Sequence, residues 1–429
     1  MEEQTSIPKH KLARAGSLTR TGLKIGVNYA RYYGRKTLTG VDDREGLHRA
    51  NAEDSYATFS KLKGGPLKVA QMLSIDNNLL PAAYAEQFAQ AQYSAPPLSY
   101  PLVARTFRKE FGKSPTELFD TFTQKAAYGA SIGQVHKATT GEHTFAVKVQ
   151  YPGVAESLRS DIRIIKPFAL KMFNLDSKLV KPYFAEIEER LMEETDYRLE
   201  LKRGQDIAGA CHALPNTRFP KYFPEMSSQK ILTMEWMPGD TLDKFADGPA
   251  DAAARNHIGQ LLWNFYDHQI HTLFRFHADP HPGNFLVDGD DLIVLDFGCL
   301  KQISESFHDK FFAFLEPGLP ADRQRLRERL QGLSMILPGD SPANQEVLLD
   351  VYSESIELLT QPFQHETFNF GDPAYGKAII DFGERCNRNK ALAKINSARG
   401  PVDAIYLNRA YFGLYNLLIR LKAEIAVKR

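Results

Sequence analysis

The segment FHADPHPGNFLVDGDDLIVLDFG, residues 276–298, constrains the fold more than any other part of the sequence. Its first half places the carboxylate of Asp279 five residues before the carboxamide of Asn284, with two prolines and a glycine between them. Its second half contains two apolar runs that flank the turn DGD at 288–290, a pattern typical of a short β-hairpin. Because the second run leads into Asp296, the hairpin is predicted to return this third oxygen side chain to a position beside the loop.

Converging oxygen side chains suit Mg²⁺, which keeps several waters and shares its coordination shell with substrate phosphates. The loop alone is weak evidence, because Asp, Pro, Gly and Asn are ordinary turn residues. The pattern H-x-D-x-x-x-x-N followed by D-F-G is that of the protein-kinase fold. Asn284 and Asp296 are therefore predicted to bind Mg²⁺ against the phosphates of ATP, and Asp279 to be the catalytic-loop carboxylate. His277 is predicted to support the loop rather than to react.

A second Asp-Phe-Gly sequence occurs at residues 381–383, within KAIIDFGERC. No HxDxxxxN loop precedes it, and the stretch around it is predicted to be helical. We therefore assign this second sequence no role in metal binding.

Residues 126–150 contain β-branched and small residues around the turn sequence TTGEHT, which predicts a strand, a turn and a second strand. In HTFAVKVQ the alternation of a strand places Ala146 and Lys148 on one face, so Lys148 is the predicted phosphate-binding lysine and Ala146 leaves room for the base. The preceding loop, YGASIGQVH, is predicted to cover the phosphates with backbone N–H groups, which requires small residues. The residues predicted to line the nucleotide site here are Gly129, Ala130, Ser131, Gly133 and Val135.

A lysine removed from water needs a carboxylate partner. Residues 182–207 are predicted to form one strongly charged helix, and its glutamates are the candidates. The pattern alone does not choose among Glu186, Glu188, Glu189, Glu193, Glu194 and Glu200. The buried strand QKILTMEW, residues 229–236, is predicted to lead into the connection between two lobes, where backbone groups of Glu235 and Met237 bind the edge of the adenine.

Composition limits the classes of function. A length of 429 residues with 43% apolar residues predicts two lobes, and a net charge of +1 gives no drive toward nucleic acid. The 3 cysteines have no metal-ligand spacing. No apolar run is long enough to span a membrane, and no secretory signal pattern is present. A cytoplasmic protein is therefore expected. Residues 9–36 are basic without an acidic residue, which predicts either an amphipathic arm for an anionic membrane surface or a solvated extension.

These features predict an α+β, two-lobed fold. The predicted divisions are a basic N-terminal extension at 1–50, an N-lobe at 51–236 and a mainly helical C-lobe at 237–429.

From about residue 10 onward the chain resembles the UbiB-like (AarF-type) family of atypical protein-kinase-like proteins. Four sequence elements carry the resemblance: KVAQ at 68–71 for the family's K-x-G-Q helix, YGASIGQVH for its alanine-rich loop, ETD at 194–196 for its E-x-D element, and HADPHPGN for its catalytic loop. The resemblance implies a helical extension that places Lys68 and Gln71 over the active site, with Glu194 and Asp196 as polar partners nearby. For the ion pair of Lys148 we favour Glu200, with Glu194 second.

The sequence departs from the family pattern at two places. Ala70 stands where the family has glycine, and Tyr128 and Gly129 replace alanines of the loop. A glycine in the loop is expected to relax the grip on the nucleotide toward that of ordinary kinases. The C-terminal stretch IYLNRAYFGLYNLLIRLKAEI is interrupted by Arg409 and Arg420, so it is predicted to be a helix docked on the C-lobe.

The function that the resemblance implies is that of a Mg²⁺- and ATP-dependent atypical kinase or ATPase that supports the biosynthesis of ubiquinone or another isoprenoid lipid. The expected partners are ATP, a quinone-precursor lipid, an anionic membrane surface with peripheral attachment at its inner face, and proteins of the same biosynthesis. Two alternatives remain open at this point. One is a small-molecule phosphotransferase of the aminoglycoside or choline kinase type, and the other is a nucleotide-gated lipid-binding scaffold.

Overall fold

The computed structural model of the chain describes residues 11–40, 42–62, 98–130, 132–172, 181–389, 391–392, 395 and 399–427. The chain forms two compact units. Unit 1 comprises Met1–Leu201 and Lys221–Trp236, and unit 2 comprises Lys202–Pro220 and Met237–Arg429. The segment Lys202–Pro220, which the sequence prediction placed in the N-lobe, thus groups with unit 2. The predicted K-x-G-Q-type residues Lys68 and Gln71, and the loop residue Ser131, lie outside the described residues.

Unit 1 contains an antiparallel sheet in which the strands follow the order β1-β3-β4-β6, with β2 paired to β3. The strands are β1 (Thr121–Phe122), β2 (Tyr128–Gly129), β3 (Gly133–Thr140), β4 (His143–Gln150) and β6 (Ile231–Glu235). Strands β3 and β4 are joined at Gly141, whose φ of 57° lies in the left-handed region that favours glycine. The strand, turn and strand predicted for 126–150 are confirmed.

The two faces of β4 have different roles. Phe145, Val147 and Val149 are buried in one apolar cluster with Val103 and Phe107. The last two residues belong to the helix α3 described below, so this face of β4 forms the core. Lys148 and Ala146 alternate with these residues and therefore lie on the opposite face.

The helices of unit 1 begin with a pair that packs side by side through polar contacts. Thr21 and Thr58 share a hydrogen bond of 2.6 Å between their hydroxyl groups, and Asn28 donates to Asn51 at 2.9 Å. Leu23 is exposed on the first of these helices. The helices are α1 (Lys11–Thr39), α2 (Arg44–Leu62), α3 (Tyr100–Phe111), α4 (Pro115–Leu118), α5 (Val154–Met172), α6 (Lys181–Glu194) and α7 (Tyr197–Ala210). The part of α7 from Lys202 onward groups with unit 2.

The single charged helix predicted for 182–207 is wrong, because α6 ends at Glu194 and α7 begins at Tyr197. The carbonyl oxygen of Thr195 accepts a hydrogen bond of 2.9 Å from the side-chain amide of Gln150, a buried residue of β4. The backbone N–H of Tyr197 donates to the carbonyl of Gln229 at 3.0 Å. Both groups therefore bond to other parts of the unit, and the helix is interrupted between them.

The described residues of unit 2 form three small sheets. The first has the order β5-β10-β9-β7, the second pairs β8 with β11, and the third pairs β12 with β13. The hairpin of β9 and β10 turns at Gly289, with φ of 61°, and confirms the hairpin predicted there. The strands are β5 (Thr217–Arg218), β7 (Asp240–Thr241), β8 (Arg275–His277), β9 (Phe285–Asp288), β10 (Asp291–Val294), β11 (Leu300–Gln302), β12 (Thr367–Asn369) and β13 (Glu424–Ala426).

Helices supply most of the remainder of unit 2. They are α8 (Leu242–Asp247), α9 (Ala252–His271), α10 (Glu305–Phe312), α11 (Arg323–Gly332), α12 (Pro342–Thr360), α13 (Pro373–Arg388) and α14 (Val402–Leu421). The second Asp-Phe-Gly sequence lies within α13, as predicted, where Asp381 pairs with Lys377 on the same helix. None of the helices in the described ranges is long and apolar enough to cross a membrane.

Candidate active site

Lys148 of β4 forms a buried ion pair with Glu200 of α7. Its ammonium group donates to both carboxylate oxygens, at 2.7 and 3.0 Å, and the two side chains are only 8% and 5% exposed. The ammonium group also lies 5.1 Å from the ring centroid of Tyr197. Two charges that are removed from water in this way are tolerated because each satisfies the other. Of the two glutamates favoured from the sequence, the partner of Lys148 is therefore Glu200.

The E-x-D element places Glu200 by starting α7. The Asp196 carboxylate accepts a hydrogen bond of 3.1 Å from the backbone N–H of Arg198. The backbone carbonyl of Asp196 accepts one of 3.4 Å from the backbone N–H of Glu200. Glu194, the other predicted polar partner, is buried at the end of α6. The break between the two helices thus sets the direction from which Glu200 approaches the lysine.

The small-residue loop has a structural requirement for one of its glycines. A Cβ atom at Gly133 would lie 2.5 Å from the carbonyl oxygen of Val149 and 2.6 Å from the Tyr197 hydroxyl, so only glycine fits. The backbone N–H of Ala130 donates to the Gly133 carbonyl at 2.9 Å, which closes the turn on itself. Gly129, by contrast, has open space around its Cα.

The sequence predicted that backbone groups of this loop contact phosphate. The N–H of Ala130 is bonded within the loop, and phosphate binding by the loop stays a prediction. Val135 lies opposite Lys148 in the β3–β4 register, and Ala146 is buried two residues before the lysine. Residues opposite each other in an antiparallel pair lie on the same face of the sheet. Val135, Ala146 and Lys148 are therefore on one face, as the nucleotide prediction requires.

The predicted adenine contacts divide between the two units. In unit 1 the backbone N–H of Glu235 donates to the carbonyl of Lys221 at 2.8 Å, so this donor is used within the unit. In unit 2 Met237 is buried against Leu286 and Ile293. Backbone recognition of the base by Glu235 and Met237 stays a prediction.

The catalytic loop of unit 2 is held by its own backbone. The carbonyl of Asp279 accepts hydrogen bonds from the Asn284 carboxamide at 2.9 Å and from the His281 N–H at 2.7 Å. The loop begins after β8, where Ala278 donates to the carbonyl of Cys299, and it closes in a 3₁₀ turn over Pro282–Asn284. Because the amide NH₂ group of Asn284 is directed at this carbonyl, its oxygen points the other way and can serve as a metal ligand.

The hairpin returns Asp296 to the loop as the sequence predicts. The N–H of Leu295 donates to the Asn284 carbonyl at 3.0 Å, which joins the end of β10 to the catalytic loop. The Asp296 carboxylate accepts from the N–H of Gly298 at 2.8 Å, and the carbonyl of Gly298 accepts from Arg203 at 3.1 Å. The segment predicted to bind the metal is thus held by hydrogen bonds on both sides of Asp296.

The donor set fits Mg²⁺. Across the ranges that the structure describes, no group of three or more His, Cys, Asp or Glu side chains is placed to hold a metal ion. Asn284 and Asp296 instead offer one carboxamide and one carboxylate oxygen. This hard, incomplete set suits a cation that takes its other ligands from water and nucleotide phosphates.

His277 is placed to support the loop. Its side chain is fully buried, and its backbone N–H donates to the Gln269 side chain at 2.7 Å. The ring atom Nδ1 lies 3.4 Å from the Tyr266 hydroxyl. Burial lowers the pKa of His277, and the carboxylates of Asp279 and Asp296 oppose this effect. A neutral, buried imidazole suits a packing role.

Arg409 of α14 is a candidate that the sequence prediction missed. Its guanidinium donates to the Asp279 carboxylate at 2.5 Å, and the two side chains are 12% and 21% exposed. One turn later, a Cβ atom at Gly413 would lie 2.0 Å from the ring of Pro280, so glycine allows the helix to approach the loop. Arg409 is 130 residues from Asp279, and no local pattern connects them.

Unit 1 therefore carries a buried lysine–glutamate ion pair, and unit 2 carries an HxDxxxxN loop followed by Asp-Phe-Gly. These are the parts of a protein-kinase-like phosphotransferase. The ABC1 atypical kinase-like domain matches residues 90–330, and the chain belongs to this family. The predicted family and the kinase-like fold are confirmed, and the chain is a phosphotransferase of the kinase class.

Relatives extend the similarity over most of the chain. Atypical kinase COQ8B, mitochondrial, of Rattus norvegicus is 27% identical over 446 residues, which covers 99% of this chain and 80% of that protein. Atypical kinase COQ8, mitochondrial, of Saccharomyces cerevisiae is 28% identical and covers 88% of this chain and 75% of that protein. The solved structure of the Rv3197–erythromycin complex from Mycobacterium tuberculosis has a TM-score of 0.61 at 26% identity, covering 89% of this chain and 95% of that one.

Proposed function

We propose that the protein is a Mg²⁺- and ATP-dependent atypical kinase or ATPase that supports the biosynthesis of ubiquinone or a related isoprenoid lipid. The observation that carries the enzymatic part is the buried ion pair of Lys148 with Glu200. In protein kinases a lysine–glutamate pair of this kind must be in place before the phosphates of ATP are bound productively. The lipid part rests on the association of the family with quinone biosynthesis.

Each predicted site residue has a role in this proposal. Lys148 binds the phosphates, Asn284 and Asp296 hold the metal, and Asp279 orients or deprotonates the group that attacks the γ-phosphate. A bound Mg²⁺ would neutralise charge that develops on the transferred phosphoryl group. The remaining predicted positions line the nucleotide or cover the site: Lys68, Gln71, Gly129, Ala130, Ser131, Gly133, Val135, Ala146, Glu194, Glu235 and Met237.

Peripheral membrane binding is part of the proposal and rests on α1. This helix has no acidic residue, and it exposes Leu23 and Val27 on one side beside the exposed Lys24. Exposed apolar residues flanked by cations favour an anionic lipid surface. Leu23→Glu combined with Val27→Glu is expected to reduce co-sedimentation with anionic vesicles; equal co-sedimentation of this variant and the wild type would remove the membrane part of the proposal.

The experiment that tests the enzymatic part follows the γ-phosphate of labelled ATP in the presence of Mg²⁺. The wild type is compared with Asp296→Asn and with the matched control Asp381→Asn, which alters the second Asp-Phe-Gly sequence in α13. Asp296→Asn is expected to lose Mg²⁺-dependent nucleotide binding because it removes a metal-ligand charge, whereas Asp381→Asn should behave as the wild type. Unchanged nucleotide affinity in Asp296→Asn would refute the site assignment.

The destination of the label separates the remaining alternatives. Release as free phosphate that is stimulated by anionic vesicles or by a phenolic quinone-precursor mimic supports an ATPase coupled to lipid handling. Label on a small-molecule acceptor supports a small-molecule phosphotransferase. Tight Mg²⁺–ATP binding without any turnover supports the nucleotide-gated scaffold.

A further inference from the structure

We propose that Arg409 is a positioning residue for the catalytic-loop carboxylate, and that the C-terminal helix α14 is thereby part of the active site. This inference rests on the proposed function, because it concerns the same site. The direct observation is the 2.5 Å contact between the Arg409 guanidinium and the Oδ1 atom of Asp279. Both side chains are largely buried, so solvent screens this pair less than a surface pair.

The backbone and the side chain of Asp279 are fixed by different parts of unit 2. Asn284 and His281 hold the backbone carbonyl from within the loop. Arg409 holds the carboxylate from α14 and thereby fixes its rotation and the direction of its second oxygen, Oδ2. A planar guanidinium that is always charged suits this task better than a flexible ammonium.

Two further contacts fix α14 against the catalytic strands. At its start, Asp403 pairs with the buried ammonium group of Lys301 at 3.0 Å, and this ammonium group lies 5.0 Å from the ring centroid of Tyr406. Lys301 lies on β11, the partner strand of β8, which leads into the catalytic loop. Further along, Gly413 allows the ring of Pro280 to approach the helix.

These contacts fix the position of α14 beside the loop, so Arg409 does not reach Asp279 as a mobile surface side chain. Arg409 also lies beyond residues 90–330, the segment that the family domain matches. The C-terminal helix thus contributes a functional group that the matched segment does not contain. An error of about 1 Å in the position of a catalytic group can lower a rate about 100-fold. Turnover should accordingly depend on Arg409 while ATP affinity does not.

The test compares Arg409→Gln and Arg409→Lys with the wild type in the full-length protein. Arg409→Gln is expected to lower kcat for ATP by about 10- to 100-fold and to leave KM for ATP within about twofold. Arg409→Lys should recover part of kcat because it restores the charge without the planar geometry. The matched control is Arg420→Gln on the same helix, where the arginine pairs with Asp247 at the surface. This control should retain wild-type turnover.

A double-mutant cycle shows whether Arg409 acts through Asp279. The free energy of unfolding is measured for Asp279→Asn, Arg409→Gln and the double variant, and the loss in the double variant should be smaller than the sum of the single losses. Additive losses, or turnover of Arg409→Gln within twofold of the wild type, would overturn the inference. If Arg409→Gln does not fold, Arg409→Lys takes its place in both measurements. A wild type without any turnover would overturn the proposed enzymatic function as well, whereas additivity on an active wild type overturns this inference alone.

Discussion

Glu200→Gln removes the negative charge from the buried pair with Lys148 and is expected to destabilise the protein. Removing one partner of a buried ion pair typically costs about 3–5 kcal/mol, because the other charge stays buried. The ring of Tyr197, 5.1 Å from the ammonium group, contacts Lys148 in the wild type and in the variant alike, so it does not offset this cost. The expected loss of about 3–5 kcal/mol corresponds to roughly 6–20 °C in the melting temperature of a unit of this size.

Thermal and urea unfolding measure this loss, and two further variants control it. Glu156→Gln breaks the contact of Lys230 with a carboxylate that is 59% exposed, and it should cost less than about 1 kcal/mol. Replacing both members of the buried pair, by Lys148→Met with Glu200→Met, removes the charges together and should return the stability close to that of the wild type. This double variant should nevertheless have no ATP turnover, because the lysine proposed to bind the phosphates is gone.

Equal shifts of the unfolding midpoint in Glu200→Gln and Glu156→Gln would refute this explanation. Such a result would mean that water reaches Lys148 and compensates for the lost carboxylate. A double methionine variant that loses as much stability as Lys148→Met and Glu200→Met together would also refute it. The cost would then come from packing rather than from an unpaired charge.

Two smaller perturbations test the same sheet. Gly133→Ala should lower the free energy of unfolding by about 1–3 kcal/mol, because its methyl group would lie 2.5 Å from a carbonyl of the neighbouring strand. In the control Gly129→Ala the methyl group meets open space, so equal urea midpoints for the two variants would contradict this prediction. Burial lowers the pKa of His136, whose ring contacts the Gln134 amide at 2.9 Å, so the unfolded state binds a proton more readily and stability should fall as the pH drops below about 6.5. His136→Gln should flatten this dependence in urea titrations and the exposed-site control His143→Gln should not; an unchanged pH slope in the first variant would assign the effect to other groups.

The parts of the site that sequence predicts best are those built by local spacing. The carbonyl of Asp279 and the carboxamide of Asn284 meet because they are five residues apart in one tight loop. The return of Asp296 depends only on the hairpin that turns at Gly289. Strand alternation likewise separates Lys148 from the core face of β4. Local geometry therefore determines each of these placements.

The helix break between Glu194 and Tyr197 shows where local reasoning stops. Propensity favours a continuous helix here, because glutamate and leucine are good helix formers. The carbonyl of Thr195 is instead bonded to Gln150, 45 residues earlier in the sequence. That tertiary hydrogen bond competes with the helical one, and no pattern within the segment contains the information. The requirement for glycine at position 133 is also set by tertiary structure, because Val149 and Tyr197 approach it closely.

Arg409 could not have been selected from α14 by periodicity. Arg409 and Arg420 are eleven residues apart, close to three helical turns of 3.6 residues, so both fall on nearly the same face of the helix. The two arginines nevertheless meet different carboxylates, Asp279 of the catalytic loop and Asp247 at the end of α8. Only the tertiary position of the loop distinguishes them. For the same reason the pair makes a sharp comparison, because the two Gln variants remove the same charge from the same helix face and only one of them removes it from the catalytic loop.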